Sequence, residues 1–279
     1  MQAARRSPDT YVVINAVDRA LYHTGRLGRD MFLYPQHPDA LLLTGQDRVL
    51  AYWHKFDTLI DLGLVNLAEK DLTECLETYG EHPLILERLA LVNMVKGKTG
   101  AARIYLGALR KTLFHHKWAS DYLARLDADP TLSNDPEIQR LRAQCLRKDS
   151  TAGFYVTEML LSTLVEQGGG NRMAYEYLMS WYMLNGQLPR FVQNVTKLSE
   201  FGYTDVPPLY QEAAVIYAYG TRKPVPLVAS PDAQRRIEHF SSIVNKYGRN
   251  RDAAFAELAR DYAGSYLFYY FYNFARTQK

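Results

Sequence analysis

The sequence predicts an all-α fold, a solenoid of antiparallel helix hairpins, and three observations lead there. Residues 96–112, KGKTGAARIYLGALRKT, read as a tight glycine turn followed by a small-residue amphipathic helix. After Gly97, the positions Ala102, Tyr105, Leu106, Leu109 and Leu113 recur three to four residues apart and share one helix face. Residues 61–77, DLGLVNLAEKDLTECLE, repeat the plan: Ala68, Leu72 and Cys75 follow Gly63 at the offsets where Ala102, Leu106 and Leu109 follow Gly97. The apolar–polar alternation that marks a strand is essentially absent from the chain.

Taken in order, residues 10–23 carry the stripe Val13, Ala16, Val17, Ala20 and Leu21, and the turn HTGRLG ends it at Gly25 and Gly28. A short helix over 29–34 completes a hairpin, and Pro35 and Pro38 then break the chain into a loop whose apolar middle, Leu41 to Leu43, tucks against the hairpins. Residues 47–62 and 64–79 form a helix pair stopped by Gly80, and Pro83 opens the next pair, 83–95 and 99–114. The repeat units are thus 49–82 and 83–116. Helices over 117–127 and 136–147 follow, the second started by Asn134 or Asp135 before Pro136, and another covers 154–166. Residues 171–201 restore a hairpin around Gly186. Helices at 207–219, 232–247, 252–261 and 264–276 close a single domain, 1–279.

Composition excludes more than it identifies. With 47% apolar and 23% charged residues, the chain has the balance of a core-forming protein rather than a disordered one. Its charge of +3 comes from 33 basic and 30 acidic residues spread along the whole chain, so no field builds up that would steer nucleic acid or anionic lipid, and neither is expected as a partner. Cys75 and Cys145 lie far apart and outside any CxxC, and they identify no redox compartment. No apolar run reaches membrane-spanning length, and no signal-peptide segment follows Arg5 and Arg6. Helical patterning that begins almost at once reads as a folded domain cut from something longer.

Gly63 and Gly97 are 97 − 63 = 34 residues apart, the tetratricopeptide (TPR) period. The stretch 47–112 resembles a degenerate, TPR-like member of that superfamily, lacking most of the Trp-Leu-Gly-Tyr part of its pattern. Three further stretches, GAARIYLGALRKTLFHHKWASDYL from Gly100, NRMAYEYLMSWYMLN from Asn171 and PPLYQEA from Pro207, are similar to an uncharacterised bacterial family. Its members join a multi-spanning N-terminal membrane region to a helical-repeat C-terminal half. That resemblance covers nearly the whole chain and implies membrane association, with nothing catalytic.

Chemistry-bearing motifs are scarce. Gly168, Gly169 and Gly170 lack the Lys-Ser or Lys-Thr pair and the preceding strand of a phosphate loop, and read as a turn whose successor, Asn171, caps a helix. His115 and His116 point about 100° apart on a helix and cannot chelate one ion, and no HExxH, GxSxG or nucleotide signature is present. No cofactor or metal is therefore expected. Arg140, Arg142 and Arg147 read as a solvated helix face rather than a basic patch. The aromatic run Tyr266, Phe268, Tyr269, Tyr270, Phe271, Tyr272 and Phe274 is too short to span a bilayer and reads as a terminal helix docked onto exposed core.

The function expected is a non-catalytic interaction or scaffold module whose inner helices line a concave surface for a protein or peptide partner. On the 34-residue register this surface comprises Trp53, Asp57 and Asp61, then Glu87, Leu91 and Met94, and by analogy Glu176, Ser180 and Met183. A basic or apolar peptide suits it. The alternatives are a soluble accessory domain of a membrane-embedded enzyme or transporter, with its chemistry outside these residues, and an enzyme with a deep cleft near His115, His116 or the Arg140–Arg147 face.

Overall fold

A computed structural model describes residues 10–43, 52–146, 156–167, 170–227 and 230–273, with the side chains of 52–54 and 273 excepted. All regular structure among them is helical. The chain divides into two compact units, one formed by residues 44–174 and the other, discontinuous, by 1–43 with 175–279. Nothing in the local periodicity announces that interleaving, which depends on contacts remote in sequence.

The 44–174 unit contains α4 (Tyr52–Asp61), α5 (Val65–Tyr79), α6 (Pro83–Val95), α7 (Thr99–Leu109), α8 (His116–Ala128), α9 (Pro136–Gln144) and α10 (Thr157–Gln167). Its two hairpins turn identically. The Gly63 N–H donates to the Ile60 carbonyl and the Leu64 N–H to Leu59; the Gly97 N–H donates to Met94 and the Lys98 N–H to Asn93. Both glycines have positive φ, +82° and +70°, the left-handed conformation this helix-ending motif requires. In both, the next helix starts two residues after the glycine. The offsets read from sequence follow: Ala68, Leu72 and Cys75, like Ala102, Leu106 and Leu109, are buried.

That burial makes a direct test. A leucine at Ala102 overfills a closed contact at a cost of roughly 1–3 kcal/mol, whereas Arg103 holds only the exposed Asp127 and such pairs contribute little. Calorimetry should show a clearly lowered melting temperature for Ala102→Leu and almost none of that effect for Arg103→Ala.

Side chains tie this unit together at helix ends. Arg142 donates to the carbonyls of Met94, Val95 and Thr131, satisfying the last turn of α6. Asn171 Nδ2 donates to the Leu62 carbonyl. Its Oδ1 meanwhile accepts from the Ala174 N–H as the expected cap. Asp135 caps α9 through the Glu137 and Ile138 N–H groups and also holds Arg125. Arg142 is therefore a capping residue rather than part of a solvated face; Arg147 lies outside the described residues.

In the other unit, α1 (Tyr11–His23), α2 (Leu27–Asp30) and α3 (Pro38–Leu41) come before α11 (Arg172–Leu184), α12 (Leu188–Val195), α13 (Pro208–Thr221), α14 (Pro231–Tyr247), α15 (Arg251–Tyr262) and α16 (Tyr266–Phe268). The unit boundary falls inside α11. Leu41, Leu42 and Leu43 are buried as expected of the loop middle. Asn15 on α1 anchors that strap by donating to the Ala40 and Leu41 carbonyls.

The predicted 188–201 helix is instead α12 followed by a 3₁₀ turn, Leu198–Phe201. The terminal aromatic helix is only α16 continued by a π-turn, Tyr269–Asn273. Its rings nevertheless dock: Tyr266, Phe268 and Tyr269 are buried, Tyr270 and Tyr272 are half-buried, and only Phe271 of the described rings is exposed. The Tyr266 and Tyr269 hydroxyls donate to the Met183 and Leu184 carbonyls at the end of α11. Phe274 lies outside the described residues.

Candidate functional site

The expected concave surface splits between the two units. In the 44–174 unit, Asp57 on α4 is gripped by Arg88 on α6 through Nε at 2.9 Å and Nη2 at 3.0 Å, a bidentate pair linking the first helices of successive hairpins. Asp61, one turn on, is buried and faces Arg140 at 3.6 Å. Glu87 meets His115 Nδ1 at 2.8 Å. Leu91 is half-buried, Met94 is fully enclosed, and the side chain of Trp53 lies outside the described residues. Asp57, Glu87 and Leu91 thus retain exposure on α4 and α6. Met94 is corrected to a core residue.

The residues placed by analogy on α11 need the same correction. Glu176, Ser180 and Met183 are all buried, and only Arg172 and Trp181 on this helix have appreciable exposure. A helix buried around nearly its whole circumference has no continuous face left to line an open groove. The sequence carried the signal: MAYEYLMSWYML holds one charged residue in twelve positions, which is the composition of a surrounded helix rather than an amphipathic one.

A cavity of about 310 Å³ lies in the other unit, where α13, α14 and α16 begin, lined in part by Arg29, Gln211, Glu212, Ser230, Arg236 and Ser265. Glu212 is its chemical centre. Its Oε2 accepts from the Tyr266 N–H at 2.8 Å and the Leu267 N–H at 3.3 Å, and Arg236 approaches Oε1 at 3.4 Å. Burial raises the carboxyl above the usual carboxylate range, against the pull of Arg236 and the two backbone donors. Arg236 also stacks over Tyr262, whose hydroxyl donates to the Arg236 carbonyl. These contacts commit Glu212 to holding the aromatic terminus. Sequence reading missed this carboxyl, because a single Glu within an apolar helix gives no sign of which N–H groups it will reach.

Residues 1–273 match DUF6057, described as a family of unknown function. The chain belongs to DUF6057. No curated protein and no solved structure matches it.

Among the described residues of this DUF6057 chain, few groups are placed to react in the cavity or at the α4–α6 face. Burial pushes both thiols, Cys75 and Cys145, up to about 11, so neither is an activated nucleophile at neutral pH. His116 Nδ1 lies 2.6 Å from the Arg110 carbonyl, and His115 is engaged with Glu87. Among the described residues no group of three or more His, Cys, Asp or Glu side chains is placed to hold a metal, and no helix is long and apolar enough to cross a membrane.

Proposed function

We propose that this chain is a TPR-like helical-repeat interaction module, non-catalytic in itself, that binds a protein or peptide partner across α4 and α6. The observation that carries the reading is the matched pair of hairpins, with the same turn hydrogen bonds and the same buried offsets 34 residues apart. Stacked hairpins form an extended concave surface, and in such solenoids that surface is the one that meets ligands. Of the residues expected there, Asp57, Glu87 and Leu91 retain exposure.

The acids of this face already have partners in Arg88, His115 and Arg140. An incoming basic peptide would have to displace them, whereas an apolar side chain seated at Leu91 need not. The module therefore suits an extended peptide with an apolar anchor. Peptides selected against the full chain by display should lose most of their affinity for Leu91→Lys and keep it for Ile104→Lys, on the exposed side of α7. Equal retention by both variants contradicts the placement.

A further inference from the structure

The turn after α7 holds an apolar knob that the fold does not use. Periodicity places Leu113 on the buried face of α7, but the helix ends at Leu109, where the Thr112 hydroxyl caps the Leu109 carbonyl at 2.7 Å. Leu113 and Phe114 consequently project, 85% and 89% exposed. Their neighbours are pinned inward: His115 pairs with Glu87, and the His116 ring reaches back to the Arg110 carbonyl. The two apolar side chains are thus presented outward on a braced turn. Ile104, 72% exposed on the same hairpin, adds to the apolar surface.

The sequence around the knob carries one sign of charge. Residues 88–120 contain no Asp or Glu, and seven cations: Arg88, Lys96, Lys98, Arg103, Arg110, Lys111 and Lys117. The spread of charge over the whole chain hides this local concentration. Several of these cations are compensated by other segments: Arg88 by Asp57, Lys96 and Lys98 by Glu69, Arg103 by Asp127, and Lys117 by Asp121. Arg110 and Lys111, next to the knob and exposed, have no ion-pair partner among the described residues. Trp118, half-buried against Tyr122, stands just beyond.

We infer that residues 110–118 form a membrane-surface contact, in which Leu113 and Phe114 enter the acyl boundary of an anionic bilayer while Arg110 and Lys111 meet its headgroups. An apolar tip flanked by unpaired cations and an interfacial aromatic is the chemistry such a surface selects. A protein pocket for the same tip would need an acidic rim. The residues that carry this contact, Leu113, Phe114, Arg110 and Lys111, are not those of the α4–α6 peptide face, although His115 between them and that face pairs with Glu87.

The test is co-sedimentation of the full chain with vesicles of phosphatidylcholine and phosphatidylglycerol in equal parts, beside vesicles of phosphatidylcholine alone. Binding to the anionic vesicles is expected, weakening as salt rises. The Leu113→Ser/Phe114→Ser variant and the Arg110→Glu/Lys111→Glu variant should each bind on the order of tenfold more weakly. Both pairs are exposed, so unchanged melting temperatures certify the fold, and Tyr219→Ser, at an exposed ring elsewhere, should bind like the parent. No binding to either vesicle, equal binding to both, or unimpaired binding by the Leu113/Phe114 variant overturns the inference.

Discussion

Replacing Asp18 by asparagine should stabilise the protein at neutral and alkaline pH and flatten its stability profile between about pH 4 and pH 7. Asp18 sits on α1 with its carboxyl fully enclosed. Its Oδ1 accepts from Gln36 Nε2 at 3.0 Å, and no partner reaches its Oδ2 among the described residues. Burial disfavours the charged form and raises the pKa from 3.8 to about 7, opposed only by the Gln36 bond. The folded state therefore holds the proton more tightly than the unfolded chain. Below about pH 4 both states are protonated and Asp18 costs nothing; as pH rises towards 7 the unfolded chain ionises freely while the folded one resists, and stability falls. Above pH 7 the loss is complete, on the order of a few kcal/mol. Asparagine keeps the acceptor for Gln36 and cannot ionise. Denaturant melts across this range should show a downward slope for the parent and little for Asp18→Asn; parallel slopes would assign the titration to another group.

Gly63→Ala should be far more damaging than Gly97→Ala, although the two glycines occupy equivalent turns. Both have positive φ, so either alanine carries a left-handed backbone penalty of roughly 1–2 kcal/mol. Around Gly97 a new Cβ meets nothing within 4 Å, whereas at Gly63 it would lie 2.3 Å from the Gln144 carbonyl oxygen and 2.6 Å from its carbon. Backbone at the end of α9 cannot rotate aside as a side chain could. Gly97→Ala should lower the melting temperature by about 2–8 °C, and Gly63→Ala by at least twice as much. Similar losses would mean that α9 does not approach this turn.

That pair also shows which parts of the fold were legible. The turns at Gly63 and Gly97 could be read because a helix-ending glycine is a local requirement, and the buried offsets Ala68, Leu72 and Cys75 follow from helical geometry alone. That α9 lies against one of the two turns depends on residues some eighty positions away, beyond the reach of any periodicity. Apolar spacing alone extends α7 too far, because Leu113 continues it after the helix has stopped at Leu109, and spacing does not report where capping ends a helix. The candidate face was half legible. Asp57, Glu87 and Leu91 lie on the clear repeat, while Glu176, Ser180 and Met183 were placed by analogy, on a helix whose low charge marked it as enclosed.

The central claim, a repeat module that recognises a peptide along its first helices, is tested most directly by mapping amide chemical-shift changes when a display-selected peptide is added to the full chain. The account predicts that the changes concentrate on α4 and α6, around Asp57, Glu87 and Leu91. Changes confined to α5 and α7, or to the cavity around Glu212, would contradict it.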